Sequence, residues 1–407
     1  MLSFADTLTE QKNTHMTHIE DKVLYGGVDG TRQAINALRE LRDMLSGKKE
    51  GGVSVKWDGA PAIFAGTDPR DGKFFVAKKG IFNKNPKVYK TAAEVDADTT
   101  GDLAKKLKDA LQYLPELGIK GVIQGDFLFS RADLTGKKID GQKYVVFHPN
   151  TIAYAVPWDQ AMPVRNAKIG IVWHTTYTGS TFETMKASYG VNVAGLRKSK
   201  NVWSQDAMLR DVQGATMSKR ETENVNEVLS KIGVLFNSIS GSTLRALEGN
   251  QSLAQHIEQY NNTYVRKGQR IKDVESHTRG LIRWIKAKYQ KEMDKRSTPR
   301  GKATQKQKLD DLLSFFSQRN QKNLEKMFEL QKLIVDAKMI LINKLNKIGS
   351  LETFVKTSKG YKVTGQEGYV AIDTLGGDAV KLVDRMEFSY NNFSPDILKG
   401  WQKPSRR

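Results

Sequence analysis

The hydrophobic pattern of this chain changes its period twice along the sequence. Apolar residues alternate with polar ones in short segments between about residues 51 and 176, beginning with Val53 and Val55. Between about residues 203 and 350 they recur every three or four residues, and after residue 350 the alternating segments return. Alternation is typical of β-strands, and a spacing of three to four is typical of amphipathic helices. The sequence therefore predicts an α+β protein in which an all-α insertion interrupts a sheet-forming region.

Turn residues such as Asp71-Gly72 separate the apolar segments of the sheet-forming region. Short strands between turns of this kind favour a mixed, mostly antiparallel sheet with a few flanking helices. Strands are predicted near Val53 and Phe75 and at 120–129, 143–147, 151–156 and 168–176, and helices at 17–24, 31–46 and 101–116.

The change in pattern also sets the predicted domain boundaries. Residues 1–185 are predicted to hold the N-terminal helices and the first part of the sheet domain, residues 186–355 a basic helical insertion, and residues 356–407 the rest of the sheet domain. The longest helix is predicted at about 321–348. Its apolar stripe is typical of a helical core, so the inserted helices are expected to pack mostly on each other.

Charge and composition limit the partners and the compartment. The chain of 407 residues has a formal net charge of +20, which favours a polyanionic partner, with nucleic acid first and a merely basic surface as the alternative. It has no cysteine, so disulfides and Cys-ligated zinc are excluded. We find neither an apolar run long enough for a membrane span nor a signal pattern at the N-terminus. A soluble, cytoplasmic protein is the expectation.

A lysine stands at the end of the first predicted strand, in the run Lys56-Trp57-Asp58-Gly59. A strand followed by an Asp-Gly turn presents such a lysine to a cleft, although a surface lysine before a hairpin turn has the same local pattern. To attack a phosphate, a lysine must lose its proton, so its pKa has to fall from about 10.4 to about 7. Nearby cations and desolvation produce shifts of that size.

Other parts that a lysine nucleophile needs follow along the chain. Lys79 lies in a Lys-Lys-Gly turn at a strand end, Asp126 interrupts an apolar strand, and Phe147 ends the next strand. Glu367 precedes an apolar strand and Lys381 lies within the last one. A carboxylate in an apolar strand is costly to bury without a partner, so Asp126 and Glu367 are either functional or members of structural ion pairs.

Taken in order, these elements resemble the motifs of the covalent nucleotidyltransferase superfamily, which contains ATP-dependent DNA and RNA ligases and mRNA capping enzymes. The resemblance covers about residues 50–175 and 360–395 and is strongest to phage-type RNA ligases. It implies a ligase-type, ATP-grasp-like fold of mixed and antiparallel sheets with flanking helices. The whole chain also resembles an uncharacterised group of tailed-phage proteins, which implies the cytoplasm of the host cell.

The resemblance also implies roles for single residues. Lys56 would form a lysyl-AMP intermediate and Lys381 would stabilise charge on the α-phosphate. Phe147 would stack on the base of ATP, and Glu367 would contact ATP and also hold Mg²⁺. The other residues that would bind ATP are Asp58, Lys79 and Asp126. The implied reaction is the adenylylation or sealing of 5′-phosphate ends of a polynucleotide, with RNA favoured over DNA.

Three positions depart from the family pattern. Pro61 replaces an Arg or Asn, Ile372 replaces a lysine on the metal-site strand, and Val383 replaces the second lysine of the last motif. These differences favour an alternative in which a degenerate nucleotidyltransferase fold serves as a nucleic-acid-binding or structural phage protein. A third possibility is a different reaction, such as AMPylation of a protein or GMP capping.

The segment Lys286–Lys308 is rich in lysine and arginine and contains Pro299 and Gly301. It is predicted to be a helix end followed by an exposed linker, which either contacts phosphates beside the cleft or is a solvated loop. The strands near 368–372 and 379–383 are predicted to pair with the sheet that carries Val53–Val55 and Val122–Phe127. That pairing would bring Glu367 and Lys381 close to Lys56.

Overall fold

A computed structural model describes residues 17–48, 52–208, 217–347, 351–372 and 379–402 of the chain. Within these residues the protein is a mixture of helices and mainly antiparallel sheets, so the predicted α+β class is confirmed. The strands are β1 (Gly52–Lys56), β2 (Ala62–Thr67), β3 (Phe74–Ala77), β4 (Val122–Ser130), β5 (Thr135–Ile139), β6 (Gln142–Phe147), β7 (Ile152–Pro157), β8 (Ile169–Thr178), β9 (Lys186–Tyr189), β10 (Val202–Asp206), β11 (Glu352–Thr357), β12 (Gly360–Val363), β13 (Gly368–Ile372), β14 (Ala379–Leu382) and β15 (Ile397–Leu398).

The helices cluster at the N-terminus and between β10 and β11. They are α1 (Lys22–Tyr25), α2 (Gly27–Leu45), α3 (Ala92–Asp98), α4 (Gly101–Tyr113), α5 (Met162–Asn166), α6 (Lys219–Ser238), α7 (Gly241–Glu248), α8 (Gln251–Arg266), α9 (Val274–Asp294), α10 (Pro299–Ser314), α11 (Gln318–Leu345) and α12 (Arg385–Phe393). Short 3₁₀ turns, including Ile19–Asp21 and Lys79–Phe82, connect some of these elements.

The strands form three sheets. The first sheet has the order β1-β13-β14 and is antiparallel. The second has the order β10-β8-β4-β2-β3, with β9 beside β8, and only its β10–β8 pair is parallel among the described strands. The third has the order β12-β11-β7-β6-β5, with β15 beside β11, and is antiparallel. Strands from both ends of the chain thus meet in the first and third sheets.

The expected partners of the C-terminal strands are confirmed in part. Strand β13 pairs with β1, as predicted, whereas β4 belongs to the second sheet. The two sheets meet at Ala207, whose carbonyl accepts a hydrogen bond from the Val55 N–H at 2.9 Å and whose N–H donates to the Trp173 carbonyl at 2.9 Å. The chain directly after β10 therefore lies between β1 and β8 and joins the first sheet to the second.

The helical region differs from its predicted limits. Residues 186–206 include β9 and β10 of the second sheet, and the long helices begin at Lys219, where Ser218 and Glu221 form a capping box. The N-terminal helices pack with the inserted ones: Arg42 donates to Asn226 at 2.8 Å, and Gln331 donates to the Glu20 carbonyl at 3.0 Å. The inserted helices therefore do not pack only on each other.

The basic segment is also more helical than predicted. Helix α9 ends at Asp294, and after four residues helix α10 begins at Pro299, with the Thr298 hydroxyl accepting a hydrogen bond from the Gly301 N–H at 3.1 Å. Proline is favoured in the first turn of a helix, where its missing N–H costs nothing. Proline therefore starts a helix here and does not mark an extended linker.

One continuous apolar core joins the helices to the first and third sheets and to part of the second, where it includes Phe129 of β4. It includes Leu38 of α2, Leu341 of α11, Tyr369 and Leu382 of the first sheet, and Tyr154 of the third. The second sheet has a separate core against α4, centred on residues such as Leu107. The hydroxyl of Tyr369 donates to Asn346, directly after α11, at 2.8 Å. The long helix thus supports the strands that carry the C-terminal part of the candidate site.

Candidate functional site

Lys56 and Glu367 form an ion pair at the edge of the first sheet. Lys56 is the last residue of β1 and lies opposite Gly368, the first residue of β13. Its side chain is 28% exposed, whereas that of Glu367 is 10% exposed. Burial raises the pKa of Glu367 to about 7, against the opposing effect of the Lys56 ammonium. The ion pair is therefore open to solvent on the lysine side only.

Lys381 lies on the same face of the first sheet as Lys56. It is opposite Val370, which is opposite Ser54, and Ser54 precedes Lys56 by two residues on β1. Side chains two residues apart on a strand share a face. Burial lowers the pKa of Lys381, and the Lys56 charge lowers it further. Two lysines and one glutamate are thus brought together, as the sequence predicted.

Asp58 anchors the turn after Lys56 to the third sheet. One carboxylate oxygen accepts a hydrogen bond from the Asn150 amide at 2.7 Å. The other accepts from the N–H groups of Thr151 at 2.6 Å and Ile152 at 2.7 Å. The Asp58 N–H in turn donates to the Tyr154 hydroxyl at 2.7 Å. Both oxygens are therefore engaged by the protein, and Asp58 holds the loop and has no free oxygen for a nucleotide.

The rest of the turn lies against strand β4. A Cβ on Gly59 would lie 2.5 Å from the Cβ of Asp126, so only glycine fits this approach. The Ala60 N–H donates to the Phe127 carbonyl at 2.9 Å, and the buried Lys106 ammonium donates to the Ala60 carbonyl at 3.2 Å. Pro61 is one of the positions that differ from the family pattern, and its carbonyl accepts a hydrogen bond from the Phe127 N–H at 3.0 Å. This segment therefore ties Lys56 to the second sheet.

Asp126 faces the cleft from the second sheet. Burial raises its pKa to about 7, the Asp58 charge raises it further, and the charges of Lys56 and Lys79 oppose this shift. Lys79 itself is exposed, in the 3₁₀ turn Lys79–Phe82 that follows β3. Asp126 and Lys79 thus join the cluster around Lys56, as predicted.

His174 is a member of this cluster that the sequence did not reveal. A register shift lies between the Gln124–Thr175 and Gly125–Trp173 pairs, and His174 is the extra residue. Such a bulge turns a side chain toward a different direction, and here the His174 Nε2 lies 3.9 Å from an Asp126 carboxylate oxygen. Burial lowers the pKa of His174 to about 4, and the Lys56 charge contributes. A neutral imidazole is therefore expected there at pH 7.

Phe147 is not in the cleft. Its side chain is completely buried, and its ring packs against Phe129 at 4.9 Å, Tyr154 at 5.6 Å and Trp203 at 6.4 Å between centroids. A base cannot stack on a ring that other aromatic rings surround. The expected stacking role of Phe147 is therefore incompatible with this structure, and the residue belongs to the core.

Other aromatic residues lie on the cleft face of the second sheet. Phe64 is opposite Gln124, two residues from Asp126 on β4, so the three side chains share a face. The ring of Phe82 lies 5.4 Å from Phe64 and 5.0 Å from Tyr177, whose hydroxyl donates to Gln124 at 2.8 Å. Phe82 and Gln124 are partly exposed. This face therefore presents a flat aromatic ring and an amide that are both partly open to solvent.

The residues present fit a magnesium ion that arrives with a nucleotide. Among the described residues, no group of three or more histidine, aspartate or glutamate side chains is arranged to hold a metal. Magnesium is commonly bound through one or two carboxylates together with substrate phosphates, and Glu367 could supply that carboxylate. None of the helices within the described ranges is long and apolar enough to cross a membrane.

The fold and the cluster define an α+β protein with a lysine-centred group of charged side chains where the first and second sheets meet. The chain belongs to the family described as "Family of unknown function (DUF6267)", whose model matches residues 13–396. That match includes both Lys56 and Glu367. The chain has no significant match among the curated proteins or among the solved structures.

Proposed function

We propose that this protein is a covalent nucleotidyltransferase of the RNA ligase type, in which Lys56 accepts AMP from ATP and passes it to a 5′-phosphate end. The observation that carries the proposal is the convergence at Lys56 of Glu367 and Lys381 from the first sheet and Asp126 from the second. These residues come from distant parts of the chain, and the order of their motifs resembles that of ligases.

The cluster has the charges that phosphoryl transfer requires. Lys56, Lys79 and Lys381 would surround a triphosphate, and positive charge directed at the developing phosphate charge is the main source of catalysis in such reactions. Magnesium held by Glu367 would neutralise further phosphate charge. The Lys56 nitrogen would attack the α-phosphorus, forming the P–N bond as the P–O bond to the β-phosphate breaks and pyrophosphate leaves.

The Lys56–Glu367 ion pair suggests where the lysine proton goes. Because burial raises the pKa of Glu367 to about 7, its carboxylate binds a proton more readily than an exposed glutamate does. Glu367 can accept this proton only while it holds no Mg²⁺, because a protonated carboxyl group does not bind the ion. The transfer leaves a neutral amine beside a neutral acid, which a partly buried site tolerates better than a lone charge.

We also propose nucleic acid, with RNA first, as the acceptor. The net charge of +20 is the support for this choice, together with the exposed lysines and arginines of α9 and α10. Three of them, Lys286, Arg296 and Arg300, have no carboxylate partner among the described residues. A basic helical surface of this kind suits a phosphate backbone.

The degenerate alternative is supported by Val383. The family pattern has a second lysine at this position, but Val383 is fully buried, and its side chain packs where a Cβ on Gly368 would be, 2.5 Å away. One cation expected near the phosphates is therefore replaced by a core residue. A protein that binds nucleic acid without turnover is consistent with this substitution.

The decisive experiment is covalent labelling. The protein is incubated with α-labelled ATP and Mg²⁺, and a label on Lys56 is expected through an acid-labile, base-stable bond mapped by mass spectrometry. Lys56→Ala should abolish the label, and Lys359→Ala, at an exposed lysine in the β11–β12 turn, should retain it. Absence of label with each of the four ribonucleoside triphosphates would overturn the proposed enzymatic activity. It would favour the alternative of a degenerate nucleotidyltransferase fold that binds nucleic acid without turnover.

A further inference from the structure

A second cavity lies on the far side of the Lys56 turn. It has a volume of about 220 Å³, and its walls include the indoles of Trp57 and Trp203, here called the indole cavity. Engineered cavities of about 150 Å³ hold benzene, so this one has room for a flat heterocycle. Trp57 follows Lys56 directly, so the cavity and the reacting lysine lie on opposite sides of the same short segment.

The walls of the indole cavity are partly polar. The side chains of Gln160, Gln205 and Asp206 line it together with the two indoles. Trp57 is 8% exposed, and its indole N–H makes no hydrogen bond to any described residue. The combination of flat apolar faces and polar edges matches a nucleobase.

A cationic cluster lies beside the cavity on the third sheet. Val156 lines the cavity and is opposite Val145, and two residues further along these strands are Trp158 and Lys143. The Lys143 ammonium lies 3.7 Å from the centre of the Trp158 ring, and the Arg165 guanidinium lies 4.4 Å from it. Two residues along a strand span about 7 Å, so Trp158 and Lys143 lie on the strands about 7 Å from the pair that reaches the cavity.

The charge arrangement of this cluster indicates an anionic partner. Lys138 is directly opposite Lys143 in the β5–β6 pair, and both are exposed. Like charges directly opposite each other on a sheet destabilise it. A phosphate between them removes that repulsion. The cavity is lined by indole and amide side chains whereas the neighbouring cluster is cationic, so the cavity itself suits a base and the cluster suits the backbone.

We propose that the indole cavity binds one unstacked base of a single-stranded nucleic acid, with the neighbouring phosphates on Lys138, Lys143 and Arg165. The identification of that strand with the acceptor rests on the proposed function, whereas the binding itself does not. Base stacking on aromatic side chains together with a basic groove is the general way in which single strands are bound.

Binding is measured by fluorescence anisotropy without ATP or Mg²⁺, on fluorescein-labelled oligouridylate, the corresponding oligothymidylate and an abasic oligomer of equal length. The intact full-length protein should bind the base-containing strands roughly tenfold more tightly than the abasic one. Gln205→Trp, which fills the cavity, should remove this difference. The control Gln142→Trp, at another exposed glutamine of a strand, should keep it. Thermal melting establishes that both variants fold.

A further variant separates phosphate binding by the cationic cluster from base binding by the indole cavity. Lys143→Glu with Arg165→Glu should weaken binding of all three oligomers, because phosphate contacts are shared by them. Equal binding of base-containing and abasic oligomers, or an undiminished base preference in folded Gln205→Trp, would overturn the proposal. Failure of covalent labelling in the wild type, with its base preference intact, would overturn the proposed enzymatic function and leave the proposed base-binding site standing. The tighter of the RNA and DNA arms identifies the strand.

Discussion

Lys56 and Glu367, which lie near opposite ends of the sequence, form an ion pair across the β1–β13 strand pair. The pairing register fixes this contact, since Lys56 is opposite Gly368 and Glu367 is the residue before it. The helical region between them thus does not separate the two halves of the cluster. We therefore expect changes at either residue to affect the same chemical step.

Replacing the charges around Lys56 should slow its labelling by ATP. Glu367→Ala and Lys381→Ala are each expected to lower the adenylylation rate about 100-fold, because both groups act on charge that develops in the transition state. The rate of label incorporation at saturating ATP is the measurement. Lys359→Ala is the matched control, and wild-type rates in both variants would show that the assigned roles are wrong.

The raised pKa of Asp126 should make stability depend on pH in a defined direction. A carboxyl whose pKa is about 7 in the folded protein and 3.8 in the unfolded chain holds its proton more tightly when folded. Its contribution is complete below pH 3.8 and is lost as the pH rises through 7. The Asp126 side chain is 20% exposed, and solvent screening reduces the effect of its charge. We therefore expect the free energy of unfolding to change by about 2 to 4 kcal/mol over this pH range.

Asp126→Asn should remove this contribution. The free energy of unfolding is measured in urea at several pH values. As the pH rises from 4 to 7, the value for the variant should increase relative to that of the wild type. Asp159→Asn, at an exposed aspartate of the third-sheet side, should follow the wild type throughout. Parallel pH profiles for wild type and Asp126→Asn would contradict the burial of this charge.

The buried ion pair between Lys338 and Glu20 should be sensitive to loss of one partner. The Lys338 ammonium lies 2.9 Å from both carboxylate oxygens, and the two side chains are 1% and 5% exposed. Lys338→Met leaves the glutamate buried without its main partner and should destabilise the protein by about 3 to 5 kcal/mol. The double change with Glu20→Leu should recover much of that loss in urea unfolding. Additive losses in the double variant would contradict this coupling.

The sequence predicted much of the fold because its signals were local. Alternation around Val53 and Val55 and the apolar stripe of α11 are visible in windows of a few residues, and each became the predicted element. The convergence of Lys56, Glu367 and Lys381 was predicted from the order of motifs. Which strands share a sheet depends on long-range pairing, and so the placement of β4 apart from β1 was missed.

Burial and irregular pairing explain the errors within the site. Phe147 has the same local pattern whether it faces a cleft or a core, and only the tertiary packing of Phe129 and Tyr154 decides the matter. His174 reaches Asp126 through a bulge, which a regular alternation does not reveal. Asp58 was expected to contact a nucleotide, but its partners lie in the β6–β7 turn, far along the chain.

Phe147 and Phe82 should respond differently to truncation. Phe147→Ala creates a cavity in the core and should destabilise the protein by about 3 to 5 kcal/mol in urea unfolding. Phe82→Ala removes a partly exposed ring and should mainly raise the ATP concentration needed for half-maximal labelling. A large loss of ATP affinity in folded Phe147→Leu, without one in Phe82→Ala, would restore the original assignment of the base-stacking residue.

The basic surface of α9 and α10 should contribute to nucleic acid binding through phosphate contacts. Reversing Lys286, Arg296, Arg300 and Lys302 to glutamate is expected to weaken RNA binding and to leave covalent labelling of Lys56 intact, because these residues lie on the helical hairpin outside the cluster. For single strands each lost phosphate contact changes the slope of log K against log salt by about 0.7, so the slope should fall by roughly 3.

The control for this experiment is a second variant with the same net charge, in which the four glutamates replace lysines elsewhere on the surface. Glutamate at Lys84, Lys120, Lys186 and Lys198 produces the same change in charge on loops and strands outside the helical hairpin. If the hairpin binds the strand directly, only the hairpin variant changes the salt slope by that amount. If general attraction to a basic surface explains the binding, both variants weaken it equally, and the helical insertion then has a different role.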